Sequence, residues 1–269
     1  MSSTSTTSGT GTTRSRLSSY AVLVLALVLV GGLYTAFGTA GRADATAGTG
    51  DNQSMAVQAG RQLYLQGCST CHGLNNQGGA GGPSLIGVGS SSVIFQVESG
   101  RMPLANGAAQ AARKKVKYDR TQIDQLAAYV QSTGGGPELP TGALIASNDA
   151  ELAKGGELFR TNCSSCHNFA GAGGALTKAK YAPALKAADA RVIYAAMLSG
   201  PESMPRFSDG QLSPQEKREI TTYVRYITHA ADPGGSALGH FGPIPEGLVI
   251  FLVGIGGLVA VTLWIGARA

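Results

Sequence analysis

Outside two short motifs this chain of 269 residues has no cysteine; the four it contains are Cys68, Cys71, Cys163 and Cys166. None is left over for a disulfide framework, which removes the scaffold on which many small secreted domains rely. Large side chains are also scarce, with one tryptophan against 39 glycines. Cores built from such a sequence need something else to fill them. Charge is thin, 21 Lys and Arg against 16 Asp and Glu, for a formal net charge of +5. Arg14, Arg16 and Arg268 carry three of those charges beyond two uncharged hydrophobic stretches, so the region between is nearly balanced. The other basic residues are dispersed and lack an interleaved aromatic surface, which argues against nucleic acid as a partner. No Ser/His/Asp set and no paired carboxylates are evident, so no bond-making step is expected of the chain itself.

What is present is a repeated phrase. Gly60-Arg-Gln-Leu-Tyr-Leu-Gln-Gly-Cys68-Ser-Thr-Cys71-His72 returns as Gly155-Gly-Glu-Leu-Phe-Arg-Thr-Asn-Cys163-Ser-Ser-Cys166-His167. On a helical segment cysteines three apart share a face, and a histidine one step on can turn its ring toward whatever they hold. Two such thiols can add to the vinyl groups of haem as thioethers while a neutral imidazole nitrogen ligates the iron. Both copies therefore read as c-type haem attachment sites. Each is followed by a Met-Pro pair, Met102-Pro103 thirty residues after His72 and Met204-Pro205 thirty-seven after His167. A thioether at that remove can close the sixth iron position. The rival, a four-cysteine zinc site, needs its Cys pairs about 15 to 20 residues apart, and Cys71 and Cys163 are much further apart. Met197 competes with Met204, but it stands in the apolar run Val-Ile-Tyr-Ala-Ala-Met-Leu and suits core packing, whereas Pro205 repeats the Pro103 arrangement. His229 and His240 follow the last helix of the second copy and read as solvated. A haem offers roughly 500 Å² of apolar area, so its burial adds on the order of 12 kcal/mol at most to a small domain.

Residues 1–16 are Ser, Thr and Gly with two arginines, a disordered cytoplasmic tail by composition. Residues 17–37 carry no charge and are long enough to span a bilayer as a helix. Ala43-Asp44-Ala45 behind them resembles a cleavage site, which keeps a signal-peptide reading open beside a retained anchor. Residues 38–54 form a tether, 55–132 a first domain, 133–148 a Gly- and Pro-rich connector and 149–230 a second domain. The closing helix of the first domain is predicted over 119–131, with Asp119 as cap and Ile123, Leu126, Ala127 and Val130 on one stripe. That of the second is predicted from Ser213-Pro214-Gln215-Glu216, a capping box with proline at the first helical position, through Ile220, Tyr223, Val224 and Ile227. The cysteines and closing tyrosines, Tyr129 and Tyr223, recur at nearly equal offsets, which indicates an internal duplication. Residues 231–246 loosen into a linker, and 247–267 form a second uncharged span with Arg268 behind it. The arginines at both ends place the termini in the cytoplasm and residues 38–246 outside. The run Arg113-Lys114-Lys115-Val116-Lys117 reads either as a solvated face or as a docking patch for an acidic redox partner. Gly78-Gly79 and Gly173-Gly174 let backbone pass close to the haem edge.

Each repeat resembles a class I cytochrome c domain, and two of them between membrane helices are similar to the dihaem cytochrome c subunit of the actinobacterial cytochrome bc complex, a menaquinol:cytochrome c reductase. The resemblance covers nearly the whole chain except its Ser/Thr-rich start. It implies an all-α fold, with two tandem class I cytochrome c domains between an N-terminal and a C-terminal transmembrane helix. It implies two covalently bound haem c groups, thioethers at Cys68, Cys71, Cys163 and Cys166, proximal ligands His72 and His167, and distal ligands Met102 and Met204. Gly82-Pro83-Ser-Leu and Ala182-Pro183-Ala-Leu match the segment whose proline carbonyl accepts the proximal histidine N–H. Gly60 with Tyr64, and Gly155 with Phe159, match the opening-helix face that crosses the closing helix. The implied partners are the cytochrome b and Rieske iron-sulfur subunits, a terminal haem-copper oxidase and the lipid bilayer, in a dimeric assembly. The implied role is that of an electron-transfer subunit of a translocase in the plasma membrane, multi-pass, with its haem domains extracytoplasmic. Other dihaem subunits of membrane oxidases or dehydrogenases share these features, and a haem peroxidase would lack one methionine.

Overall fold

The computed structural model describes residues 13–40, 49–104, 107–108, 110–145, 148–229, 238 and 243–268. The Ser/Thr-rich start to residue 12, the Ala43-Asp44-Ala45 segment and His240 lie outside the described residues. The chain divides into two compact parts, Met1–Asn52 and Gln53–Ala269. The first contains helix α1 (Thr13–Ala40), whose side chains from Tyr20 to Leu33 are all exposed. Those residues are apolar or small on every side, so the helix has no inward stripe of the kind that docks onto a soluble core.

The haem-motif repeats lie in the second part, apart from the first turn of the opening helix of the first repeat. The first repeat comprises α2 (Thr49–Gly67), α3 (Ser69–His72), α4 (Ser90–Val93), a π-helical segment over Ile94–Glu98, and α5 (Arg120–Ser132). The second comprises α6 (Asp149–Asn162), α7 (Ser164–His167), a hairpin of β1 (Gly174–Ala175) and β2 (Tyr181–Ala182), α8 (Ala190–Ser199), and α9 (Pro214–His229). After it come α10 (Pro243–Val249), a π-helical segment over Ile250–Ile255, and α11 (Gly256–Gly266). Together these give an apolar helix over Ile244–Gly266, long enough to cross a membrane.

Side-chain caps set the helix starts. Asp119 Oδ1 accepts from Gln122 N at 2.9 Å while Gln122 Oε1 accepts from Asp119 N at 3.1 Å. Ser213 and Glu216 form the same reciprocal pair ahead of α9, at 2.8 and 3.3 Å. Asn148 caps α6 through Glu151 N, and Asp189 caps α8 through Val192 N.

The opening and closing helices of each repeat cross at a glycine. A Cβ on Gly60 would overlap the Gln125 carbonyl, and one on Gly155 would overlap the Glu219 carbonyl, so each crossing brings backbone against backbone. Beside them the rings of Tyr64 and Tyr129 lie 5.1 Å apart, and those of Phe159 and Tyr223 lie 5.5 Å apart. Aromatic pairs at such separations add to the area they bury.

The two repeats share a core. Ile94, Phe95, Val97, Ile123 and Ala127 of the first pack with Val192, Ala195 and Ala196 of the second. The elements that make this seam, α4 with its π-helical continuation and α8, lie where the sequence predicts no helix. The connector also takes part. Pro137 O accepts Ser91 N at 3.1 Å, and Leu139 packs against both the shared core and the core of the second repeat. Charges line the edge of the seam. Glu98 and Asp124 of the first repeat meet Arg191 of the second, and Arg120 lies between Glu98 and Asp189.

Candidate functional site

The two Cys-x-x-Cys-His turns have the same build. Cys68 precedes α3, and its carbonyl accepts both Cys71 N at 3.1 Å and His72 N at 3.0 Å. Cys163 precedes α7 and accepts Cys166 N at 3.2 Å and His167 N at 2.9 Å. Each turn therefore holds two thiols and one imidazole within a single helical loop. The histidine carbonyls are tied down as well, by Gly78 N and Gly173 N, both at 2.8 Å.

The chain after each motif doubles back to steady the ring. In the first repeat Gly79 and Gly82 form a bridge, and in the second β1 pairs with β2. His72 Nδ1 lies 2.8 Å from the Pro83 carbonyl, and His167 Nδ1 lies 3.0 Å from the Pro183 carbonyl. Since a carbonyl can only accept, Nδ1 carries the proton and Nε2 keeps its lone pair. Both rings are thus in the tautomer that ligates a metal through Nε2. Burial lowers the His167 pKa, against the opposing bond to Pro183, which favours the neutral ring.

The four thiols are free. Cys68 packs against Tyr64, Leu126, Tyr129 and Val130, while Cys163 is buried among Phe159, Tyr194, Ile220 and Val224. Cys71 and Cys166 are exposed, so each pair has one thiol at the core and one at the rim. Burial, with Cys166 adding, pushes the Cys163 thiol up to about 11, and burial raises that of Cys68 against the pull of Lys117. Among the described residues no three His, Cys, Asp or Glu side chains converge as a metal site.

A cavity of about 500 Å³ opens beside the second motif, lined by Cys163, Cys166, His167 and Met204. That is the size range of cofactor sites. Apolar residues, among them Leu185, Val192, Ile193, Phe207 and Val224, line much of it. Thiols, an imidazole whose Nε2 keeps its lone pair and a thioether around an apolar slot suit a flat iron macrocycle. Met197 lines the same cavity but is only 2% exposed within α8, among Phe159, Tyr194 and Ile220. Met204 is half-buried in the loop after α8, its N bonded to the Pro201 carbonyl at 3.0 Å. Met102 is half-buried in the loop after the π-helical segment and donates its N–H to Gln96 O at 2.9 Å. Met102 and Met204 both pack against the shared core. His229 sits at the exposed end of α9, beside Thr228 and the Arg225 carbonyl.

Sequence reasoning missed that this cavity draws on the first repeat. Phe95, Ser99, Arg101, Gln110 and Arg113 complete its lining. The basic run is part of this arrangement. Arg113 Nη2 donates to Ala187 O at 2.7 Å, and Gln110 brackets the Tyr181 backbone at 2.8 and 3.0 Å. Lys114 Nζ bonds the Pro103 carbonyl, whereas Lys115 and Lys117 are exposed. The spacing of these residues to the second motif, tens of positions away in sequence, gave no local signal.

Paired helices crossing at glycine, each pair closing on a Cys-x-x-Cys-His turn with a proline-anchored imidazole, define two cytochrome c domains in tandem. Residues 57–134 match the family model described as cytochrome c, and residues 150–224 match that described as cytochrome c oxidase, cbb3-type, subunit III. The chain is 45% identical, over 95% of its length and 92% of the relative's, to the cytochrome bc1 complex cytochrome c subunit of Mycobacterium tuberculosis. It is 48% identical to the subunit of the same name from Mycobacterium leprae, covering 81% of this chain and 78% of the relative. The Corynebacterium diphtheriae subunit is 47% identical, covering 81% and 83% respectively. The chain belongs to the family of cytochrome bc1 complex cytochrome c subunits, as the resemblance in the sequence indicated. Cytochrome c domains imply haem c and electron transfer, and the Ile244–Gly266 helix agrees with a membrane location.

Proposed function

We propose that the chain binds two haem c groups, one per repeat, and carries electrons from the Rieske iron-sulfur subunit of a menaquinol:cytochrome c reductase to a terminal haem-copper oxidase. Cys68 and Cys71, then Cys163 and Cys166, would form the thioethers, and His72 with Met102, and His167 with Met204, would hold the two irons. When bound, haem iron held by histidine and methionine supplies one-electron chemistry at a raised potential, with no open position for substrate. The residues of the chain set the conditions. Pro83 and Pro183 fix the tautomer and orientation of the imidazoles, and the apolar walls of the second cavity exclude water. Met102 and Met204, which would each hold one iron, pack against one shared core. The pair of proline-anchored turns carries this reading.

In the same reading α1 and the Ile244–Gly266 helix both cross the plasma membrane, with the termini in the cytoplasm and the repeats outside, next to cytochrome b and in a dimeric complex. The first repeat faces the Rieske side. Replacing Met102 with alanine is then expected to block reduction of both haems by quinol, while Met204→Ala leaves the first reducible. Equal loss in both variants would refute that order. Fewer than two covalent haems per chain would remove the proposal as a whole. A second reading, a subunit of a terminal oxidase, draws on the match of residues 150–224 to a cbb3-type oxidase subunit. Subunits that co-purify in mild detergent separate the two: cytochrome b and a Rieske protein favour the first, oxidase subunits without them the second.

A further inference from the structure

The second cavity contains polar groups that its haem-ligating residues do not use, and these come from the other repeat. Ser99 is 2% exposed and Arg101 is 7% exposed, and both line the cavity beside the second motif. Ser99 Oγ is buried with no hydrogen-bond partner. The Arg101 guanidinium stacks over the Phe95 ring, 4.8 Å from its centroid, and among the described residues its side chain makes no hydrogen bond and no ion pair. Glu202 is the carboxylate that acts on it electrostatically, but Glu202 Oε1 is engaged by the Ala111 N–H at 3.0 Å. A buried cation and an unpartnered hydroxyl that line one cavity are unfavourable unless an acceptor completes the set. Stacking on one phenylalanine supplies no acceptor for the guanidinium N–H groups.

A haem brings two carboxylates, and a planar guanidinium is the side chain best matched to a carboxylate. We infer that Ser99 and Arg101 of the first repeat form the subsite that holds haem carboxylate in the cavity of the second repeat. This rests on the reading that the second cavity takes haem. The strap around Gln110 and Arg113, fastened to Tyr181 and Ala187, closes the same side of the cavity. The second haem is thereby bound by both repeats, and its affinity for electrons is set partly by a charge that the first repeat supplies.

The test uses the full chain in its membrane complex, with haem carrying carbon-13 at the carboxylates. Redox-difference infrared spectra and potentiometric titrations are compared for the parent, Arg101→Gln, Arg101→Lys and Ser99→Ala. The second haem is assigned from a Cys163→Ala/Cys166→Ala chain, which lacks it. The expected result is a shift of the labelled carboxylate bands in all three variants. In Arg101→Gln the reduced-to-oxidised ratio of the second haem at fixed ambient potential should also fall, on the order of tenfold for one nearby charge, and by more than that of the first haem. If Arg101→Gln does not assemble, Ser99→Ala and Arg101→Lys, which keep the packing, still decide through the bands. Labelled bands that match the parent in the assembled variants, with the second haem present, overturn the inference and leave the haem reading intact. Absence of covalent haem from the parent's second motif instead removes the underlying reading.

Discussion

Glu98 lies at the seam between the repeats, and its surroundings fix how stability should depend on pH. Its side chain is 10% exposed, with Oε1 2.8 Å from Arg120 Nη1 and Oε2 3.5 Å from Arg191 Nε. Burial pushes its carboxyl from 4.5 up to about 7, with Asp189 adding to the rise and Arg191 and Arg120 opposing it. Oε2 is buried and accepts no hydrogen bond, in keeping with burial prevailing. Because the folded value lies above the unfolded one, the folded chain keeps a proton that the unfolded chain releases. The contribution of this group is therefore fully present below 4.5 and is lost as pH rises to about 7. At about 1.4 kcal/mol per decade, the loss is roughly 3 kcal/mol. Glu98→Gln keeps the shape and removes the titration. Denaturant unfolding of the detergent-solubilised chain, followed by tertiary circular dichroism from pH 4.5 to pH 8, should show the variant gaining on the parent across that window. A parent-to-variant difference that stays constant with pH would falsify the argument and show that the two arginines hold the carboxylate ionised.

The helix crossings make a sharper steric prediction. Gly155→Ala puts a methyl group against the Glu219 carbonyl and 3.1 Å from Tyr223 Cβ, at a cost of about 1–3 kcal/mol. Gly257→Ala, inside α11 and with nothing within 4 Å of the new atom, should show no such loss in the same unfolding measurement and should gain up to about 1 kcal/mol from helix propensity. Asp119→Ala removes the reciprocal cap of α5 and should cost about 1 kcal/mol, most of it recovered in Asp119→Asn. If the exposed Lys115 and Lys117 steer a redox partner, changing both to glutamine should flatten the salt dependence of electron delivery to purified oxidase. An unchanged salt slope would confine that patch to solvation.

The features legible in the sequence were those written locally. Two Cys-x-x-Cys-His phrases, the 3.6-residue stripe of Ile123, Leu126, Ala127 and Val130, and the Ser213–Glu216 capping box each lie within one turn or one helix, and the stripe is buried as its period required. The crossing at Gly60 and Gly155 follows from the resemblance to class I cytochrome c domains, which matches those glycines to the face that meets the closing helix. Asp189, three residues ahead of Val192, is the one local signal for α8, whose sequence is apolar on most sides and so shows no helical stripe. The seam was not legible for a different reason. Val192, Ala195 and Ala196 are buried by Ile94 and Phe95, about a hundred positions earlier, and no periodicity specifies a partner at that range. For the same reason Arg113 looked like one member of a basic face, whereas its guanidinium reaches a backbone carbonyl of the other repeat.

The lining that Phe95 and Gln110 contribute to the second cavity bears on how a doubled gene can age. Two copies of one module begin as interchangeable beads, each able to exist alone. Once one bead has become a side of the other's pocket, their order along the chain is fixed. Excising the later copy would strip its slot of a wall and bare Val192 and Ala195 to water, and transposing the copies would leave the strap at Gln110 with nothing to fasten. Neither bead is a free-standing part any longer, because the earlier one is a side of the later one's pocket.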